Sequence, residues 1–146
     1  MMSEVRFTVR EADWRKDRPA LKKVRFQVFV REQGVPEHME CDQEDESAMH
    51  FLALDSEGNP IGTARLLRSG QIGRMAVLKP WRHQGVGQAL LCTTLDFIRA
   101  ANYPNPFLNA QIEAIAFYRQ HGFLSVGKTF MEAGIAHRKM VLENDD

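Results

Sequence analysis

The stretch Arg82-His83-Gln84-Gly85-Val86-Gly87-Gln88 has the residue types and spacing to bind an anion. It follows the apolar run Ile72-Gly73-Arg74-Met75-Ala76-Val77-Leu78 and the breaker Lys79-Pro80. It opens a segment in which Val86, Leu90, Leu91, Leu95, Phe97, Ile98 and Ala101 recur at helical spacing. Strand, glycine loop and helix in that order leave backbone N–H groups without intrahelical partners, at the positive end of the helix dipole. Gly85 and Gly87 lack a Cβ, so a phosphate can approach the backbone closely and the loop can take positive φ. Arg82 adds a formal charge on the same side. No Gly-Lys-Ser/Thr follows, so this is not a P-loop, and Leu90 stands where the dinucleotide fingerprint has its third glycine. Taken alone, the residues also fit a glycine turn that binds nothing.

Two further features carry chemistry. Tyr118, beside Phe117 in an apolar helical segment, reads either as a core tyrosine with a satisfied hydroxyl or as a proton donor. Residues 32–46 hold seven carboxylates (Glu32, Glu37, Glu40, Asp42, Glu44, Asp45, Glu46) and no Lys or Arg. That run is either a solvated loop or a site for a cationic substrate.

The elements that must position these groups follow from pattern. Val5–Arg10 alternates like a first strand, and the apolar-rich segment from Pro19 to Arg31 predicts an amphipathic helix stopped by Gly34 and Pro36. Residues 49–54 and 60–67 flank the turn 55–59 as a hairpin, and a strand over 71–78 follows. Three antiparallel strands thus lead to the glycine loop, and a helix over 85–101 leaves it. A short strand over 107–110, a helix over 112–120 closed by His121-Gly122, and strands over 124–127 and 135–142 complete the chain. Cys92 falls in the apolar helix pattern and reads as core; Cys41 reads as an unpaired thiol.

At 146 residues the chain has the length of one domain, residues 1–146, with no visible linker or repeat. Nineteen basic and nineteen acidic side chains cancel, leaving no global field for nucleic acid or an anionic membrane. No apolar run reaches membrane-spanning length and the start lacks a signal-peptide core, so a cytoplasmic location is expected. Neither cysteine has metal-binding spacing.

Arg82-x-x-Gly85-x-Gly87 after a strand resembles the pyrophosphate loop of the GNAT N-acetyltransferase superfamily. Ala116-Phe117-Tyr118-x-x-x-Gly122-Phe123, about thirty residues on, is similar to that superfamily's second signature. A narrower resemblance, to the small ElaA-like acetyltransferase subgroup, rests on Arg25-x-x-Val28-Phe29-Val30-x-Glu32-Gln33 with Pro36, Asp42, Asp45 and His50. The ending Glu132-Ala133-Gly134-Ile135-Ala136-His137-x-x-Met140 echoes the same subgroup. The resemblance implies a mixed α+β GNAT fold, with a mostly antiparallel sheet of six to seven strands flanked by helices. It implies acetyl transfer from acetyl-CoA, as co-substrate and without metal, to a primary amine on a small molecule or peptide, and it leaves room for a homodimer.

By the same resemblance the backbone of Met75, Ala76 and Val77 lines the pantetheine and acetyl group, the amides of 82–88 hold the pyrophosphate, and Asn109 faces the cofactor arm. Tyr118 becomes the general acid for the departing thiolate. An amine is charged at neutral pH, so a proton acceptor is needed. Many relatives place a glutamate on the strand before the loop, but here that strand reads Gln71-Ile72-Gly73-Arg74. Glu32, His50, Glu132 and His137 are the remaining candidates for base or acceptor contact. Both histidines also read as hydrogen-bonded structural residues, and Glu132 as a hairpin residue. Two rival readings stand beside the enzyme: a module of this fold that senses acyl-CoA without transfer, and a nucleotide-binding or oxidoreductase domain.

Overall fold

The computed structural model describes residues 6–143. Its strands are β1 (Phe7–Ala12), β2 (Met49–Asp55), β3 (Pro60–Leu66), β4 (Gln71–Val77), β5 (Phe107–Gln111), β6 (Phe123–Glu132) and β7 (Ile135–Leu142). They form one sheet in the order β1-β2-β3-β4-β5-β7-β6. Every neighbouring pair is antiparallel except β4 with β5. The helices are α1 (Trp14–Arg25), α2 (Glu37–Glu40), α3 (Val86–Ala100) and α4 (Ile115–Arg119). None among the described residues is long and apolar enough to cross a membrane.

Strand periodicity explains the layering. Successive side chains of a strand point to opposite faces. On β2, Phe51 and Ala53 join the core that contains Val86, Leu90, Leu91, Leu95 and Ile98 of α3, while Leu52 between them packs with Trp14 and Leu21 of α1. The helices therefore cover opposite faces of the sheet. Gly62 of β3 lets α3 come close, because a Cβ there would meet Leu90 at 2.9 Å and Val86 at 3.1 Å.

Several boundaries differ from the sequence expectation. Asp13, not Pro19, starts the first helix: its carboxylate accepts from the Arg15 amide at 3.0 Å, and Asp17 returns the favour to the Asp13 amide at 2.8 Å. The segment Phe26–Glu32 continues it as a π-helix. The last strand pair is longer than expected because β6 runs through an irregularity between Val126 and Phe130 that interrupts its alternation. Of the first expected strand, Val5 lies outside the described residues. Cys92 is exposed on α3, not core, since it falls on the far side of the stripe through Leu91 and Leu95.

Part of the acidic stretch is paired with arginines from elsewhere in the chain, while Glu37 and Glu46 are exposed. Arg25, 1% exposed, pairs through Nε with Glu40 and through Nη1 and Nη2 with Asp45 at 2.9 and 3.1 Å. Arg65 donates to Asp42 at 2.8 Å and Asp45 at 3.0 Å. Arg74 reaches Asp42 at 3.2 Å and the Glu40 carbonyl at 3.0 Å. Burial alone would push the Asp45 carboxyl up, but the hydrogen bonds and charge of Arg25, with help from Arg65, hold it at about 2. Removing one partner of a buried ion pair leaves the others uncompensated.

Asp45→Ala should therefore cost about 3–5 kcal/mol in urea unfolding, and a loss below about 1 kcal/mol, typical of exposed pairs, would show that the network is not structural. The folded-state carboxyl lies below its unfolded value of ~3.9, so its stabilisation is complete above about pH 4 and fades as pH falls towards about 2.

Candidate active site

A β-bulge opens the site. Thr63 faces Ala76 and Arg65 faces Gly73 across β3 and β4, so Arg74 and Met75 together oppose Ala64 alone. Arg74 takes a left-handed φ of 47°, which costs roughly 1–2 kcal/mol for a residue with a Cβ. Its carbonyl accepts from the Thr63 hydroxyl at 2.9 Å, and its guanidinium bonds to Asp42 and to the Glu40 carbonyl. Hydrogen bonds to charged groups contribute about 1.5–3 kcal/mol each, so the side chain offsets the backbone strain.

The bulge turns β4 away from β5. The parallel pair holds register only at Gln71 with Phe107 and Ile72 with Leu108. Beyond it, β4 from Gly73 to Val77 and β5 from Asn109 to Gln111 leave the facing edges without a strand partner. Between them lies a cavity of about 540 Å³. Met75, Ala76, Val77, Arg82 and Asn109 line it, as do Tyr118, Glu132 and His137. Glu32 reaches it only through Arg82. His50 does not line it.

At one end of the wedge stands the glycine loop. His83 and Gly85 have left-handed φ of 62° and 89°, and Gly85 caps α3 without a side chain. The first intrahelical bond is Ala89 N–H to the Gly85 carbonyl at 3.0 Å, so the amides of Val86, Gly87 and Gln88 have no helical acceptor. Gln84 donates to the Pro80 carbonyl at 2.8 Å and fixes the loop from behind. A Cβ built at Gly85 would meet nothing within 4 Å. The loop is thus an uncapped helix start facing open space.

Arg82 makes contacts that no local signal in the sequence announces. Its Nη1 and Nη2 clasp Glu32 at 2.6 and 2.7 Å, and its Nε donates to the Val77 carbonyl at 2.9 Å. It ties the end of the π-helical segment to the end of β4. That hydrogen bond holds the Glu32 carboxyl below the usual carboxylate range, which makes Glu32 a weak proton acceptor at neutral pH. His50 is 1% exposed, stacks on Trp14 with ring centroids 4.8 Å apart, and donates through Nε2 to the Asp45 carbonyl at 2.8 Å. Burial pushes its imidazole below the ordinary value. His50 belongs to the packing of α1 against β2, on the structural side of its two readings.

Tyr118 sits on α4 with edge-on rings of Phe117 and Phe123 at 5.1 and 6.0 Å. Its hydroxyl has no hydrogen-bond partner among the described residues, and burial pushes it up to about 12. It is protonated at any physiological pH and free to donate into the cavity. Sequence reasoning missed Gln33 and Gln111, which bond to each other at 2.8 Å across the cavity wall. Arg65 and Arg74 were missed as well. Nothing local in the sequence joins Gln33 to Gln111, or either arginine to the acidic stretch; only the sheet order brings them together.

The acetyltransferase (GNAT) domain family matches residues 17–144. The uncharacterized N-acetyltransferase YjcF of Bacillus subtilis is 37% identical over 123 residues, which are 81% of this chain and 86% of that protein. Among solved structures, Escherichia coli ElaA superposes with a TM-score of 0.82 at 27% identity, covering 94% of this chain and 99% of that one. An acyl-CoA N-acyltransferase from Pseudomonas aeruginosa gives a TM-score of 0.82, 27% identity and coverage of 94% and 99%. With strands β2 to β7, the splayed β4 and β5 and the glycine loop all inside the matched span, this chain belongs to the GNAT acetyltransferase family.

Proposed function

We propose that the chain transfers an acetyl group from acetyl-CoA directly to a primary amine. One observation carries the reading: two unpaired parallel strand edges and a free tyrosine hydroxyl line one cavity, and an uncapped helix start follows β4 beyond Arg82 at its rim. A pantetheine arm is an extended chain with amide donors and acceptors, and strand edges pair with such chains. The loop amides of 82–88 suit its pyrophosphate, because oriented N–H groups and the helix dipole favour negative charge. Acetyl-CoA supplies an activated carbonyl and a thiolate leaving group, and a β4 amide in the wedge suits the carbonyl oxygen as charge develops on it.

Tyr118 serves the leaving sulfur. Its hydroxyl, held at about 12, is a weaker acid than a thiol of ~8.5, so full proton transfer to the thiolate is uphill. It donates a hydrogen bond as charge builds there. A second reading, acyl-CoA sensing without transfer, draws support from β4, where Gln71-Ile72-Gly73-Arg74 offers no carboxylate to take the amine's proton. Thiol release from acetyl-CoA with a panel of primary amines decides between them: turnover with any amine supports the enzyme, and binding without release with every amine supports the sensor.

Gly87→Glu should abolish coenzyme A binding in calorimetry while Gly87→Ala keeps the fold, because a Cβ at Gly87 would make only ordinary contacts of 3.6 Å or more. Unchanged affinity in the glutamate variant would remove the loop from the site.

Tyr118→Phe keeps the ring packing and removes only the hydroxyl. It should lower kcat about 10²-fold, the low end for general acids, with little change in acetyl-CoA affinity. Because burial raises the Tyr118 hydroxyl, no tyrosine limb should depress wild-type kcat below about pH 11. Wild-type kcat in the variant, with chemistry rate-limiting, would make Tyr118 a packing residue.

A further inference from the structure

We propose that His137 Nε2 is the proton acceptor for the amine, with Glu132 beside it holding the amine's charge before transfer and the imidazolium's charge after it. The proposal rests on the acetyltransferase reading and supplies the base that β4 lacks.

Local geometry fixes the pair. Ala133 and Gly134 both have positive φ, 51° and 77°, and join Glu132 to its partner Ile135. That is the two-residue turn matching strand twist, and it fixes the register of β6 on β7. In that register His137 faces Phe130 on one side and Gln111 of β5 on the other. Residues directly opposite share a face. His137 therefore stands on the same face as Gln111 and Gln33, over the splayed end of β5.

The imidazole is held rather than free. It is 7% exposed, lies parallel to the Phe130 ring at 5.8 Å, and donates from Nδ1 to the Ile135 carbonyl at 2.7 Å. A carbonyl can only accept, so Nδ1 carries the hydrogen and Nε2 presents a lone pair. Glu132 Oε2 stands 3.7 Å from Nε2. That is too far for a direct hydrogen bond and close enough for an ion pair. An ammonium placed between them can donate one N–H to each.

Of the other carboxylates lining the cavity, Glu40 and Asp42 are hydrogen-bonded to Arg25, Arg65 and Arg74, and Glu44, mostly exposed to solvent, has Arg65 at 3.9 Å. Glu32 is clasped by Arg82. The charged or titratable groups that face His137 are Glu132 from β6 and Lys139 further along β7. Across the cavity stand Glu40, Asp42, Glu44, Arg65, Arg74, Arg82 and Tyr118.

The step balances. His137 takes one proton from the ammonium, the freed nitrogen lone pair forms the C–N bond, and the C–S bond breaks with its electrons on sulfur. The second proton lost from nitrogen ends on the coenzyme A thiol, and His137 returns the first to solvent.

The test is steady-state kinetics of the whole chain with acetyl-CoA and the best amine of the panel, for wild type, His137→Gln, His137→Ala and Glu132→Gln. His137→Gln should lower kcat at neutral pH about 10²–10⁴-fold, with acetyl-CoA affinity and unfolding midpoint close to wild type. Its kcat/KM should climb with pH up to the acceptor's own value of ~10, because the amine must then lose its proton unaided. Added imidazole should restore part of the activity of His137→Ala. Glu132 is more than half exposed, so Glu132→Gln should fold normally while raising acceptor KM and lowering kcat. Wild-type turnover together with wild-type kcat and pH profile in His137→Gln overturns the base and leaves the transferase standing. If His137→Gln fails to fold, absence of imidazole rescue in His137→Ala together with wild-type kinetics in Glu132→Gln overturns it. No thiol release by wild type with any amine overturns the transferase reading and the base together.

Discussion

The site depends on one strained arginine. Were β4 regular, it would pair with β5 along its length and close the sheet. Arg74 prevents this by adopting a left-handed conformation in a bulge, so that the parallel strands part after two residue pairs. The strain persists because the same residue is over-determined: its carbonyl is claimed by Thr63 and its guanidinium by the acidic stretch. Cavity, strand edges and charge network are thereby one construction. What opens the sheet also anchors the loop over it.

Around the cavity, charge is arranged largely as compensated pairs. Arg25, Arg65 and Arg74 meet Glu40, Asp42 and Asp45, and Arg82 meets Glu32. Such pairs contribute little net attraction for a distant cation, but they specify geometry, since a single missing partner leaves a buried charge exposed to low dielectric. Among the lining groups, Glu132 is left with only a histidine as its basic neighbour. The charge lining the cavity is therefore set by a few positioned groups and not by the net count of carboxylates in residues 32–46. Arg65 Nε has no partner among the described residues, the one imperfect joint in this network.

Much of the fold was legible because its signals are local. The largely apolar runs of β2 and β3, turn residues between them, and the helical stripe of α3 each fix an element within a short window. The turn from β4 into α3 was legible for the same reason, since Gly85 and Gly87 stand between an apolar strand pattern and a helical stripe. Long-range pairing was not legible. Seven carboxylates in a stretch without Lys or Arg read as solvated or substrate-facing, because Arg25 lies upstream of all of them and Arg65 and Arg74 arrive on β3 and β4. The pairing of Arg82 with Glu32 was not legible either, since Glu32 lies fifty residues upstream. Among the candidate bases, residue type could not separate His50 from His137. Only their partners do: one histidine is closed under Trp14, and the other turns a free nitrogen into the cavity.

The central claim is that the opened edge of β4 is where an acyl-CoA thioester is held. A crystal structure of the chain with acetyl-CoA tests it most directly. The expected result is a pantetheine arm lying between β4 and β5, the pyrophosphate on the amides of 86–88, and the thioester oxygen about 2.7–3.1 Å from a backbone N–H in the Gly73–Val77 segment. Acetyl-CoA bound outside the wedge, or β4 and β5 zipped together along their length with the ligand elsewhere, would contradict it.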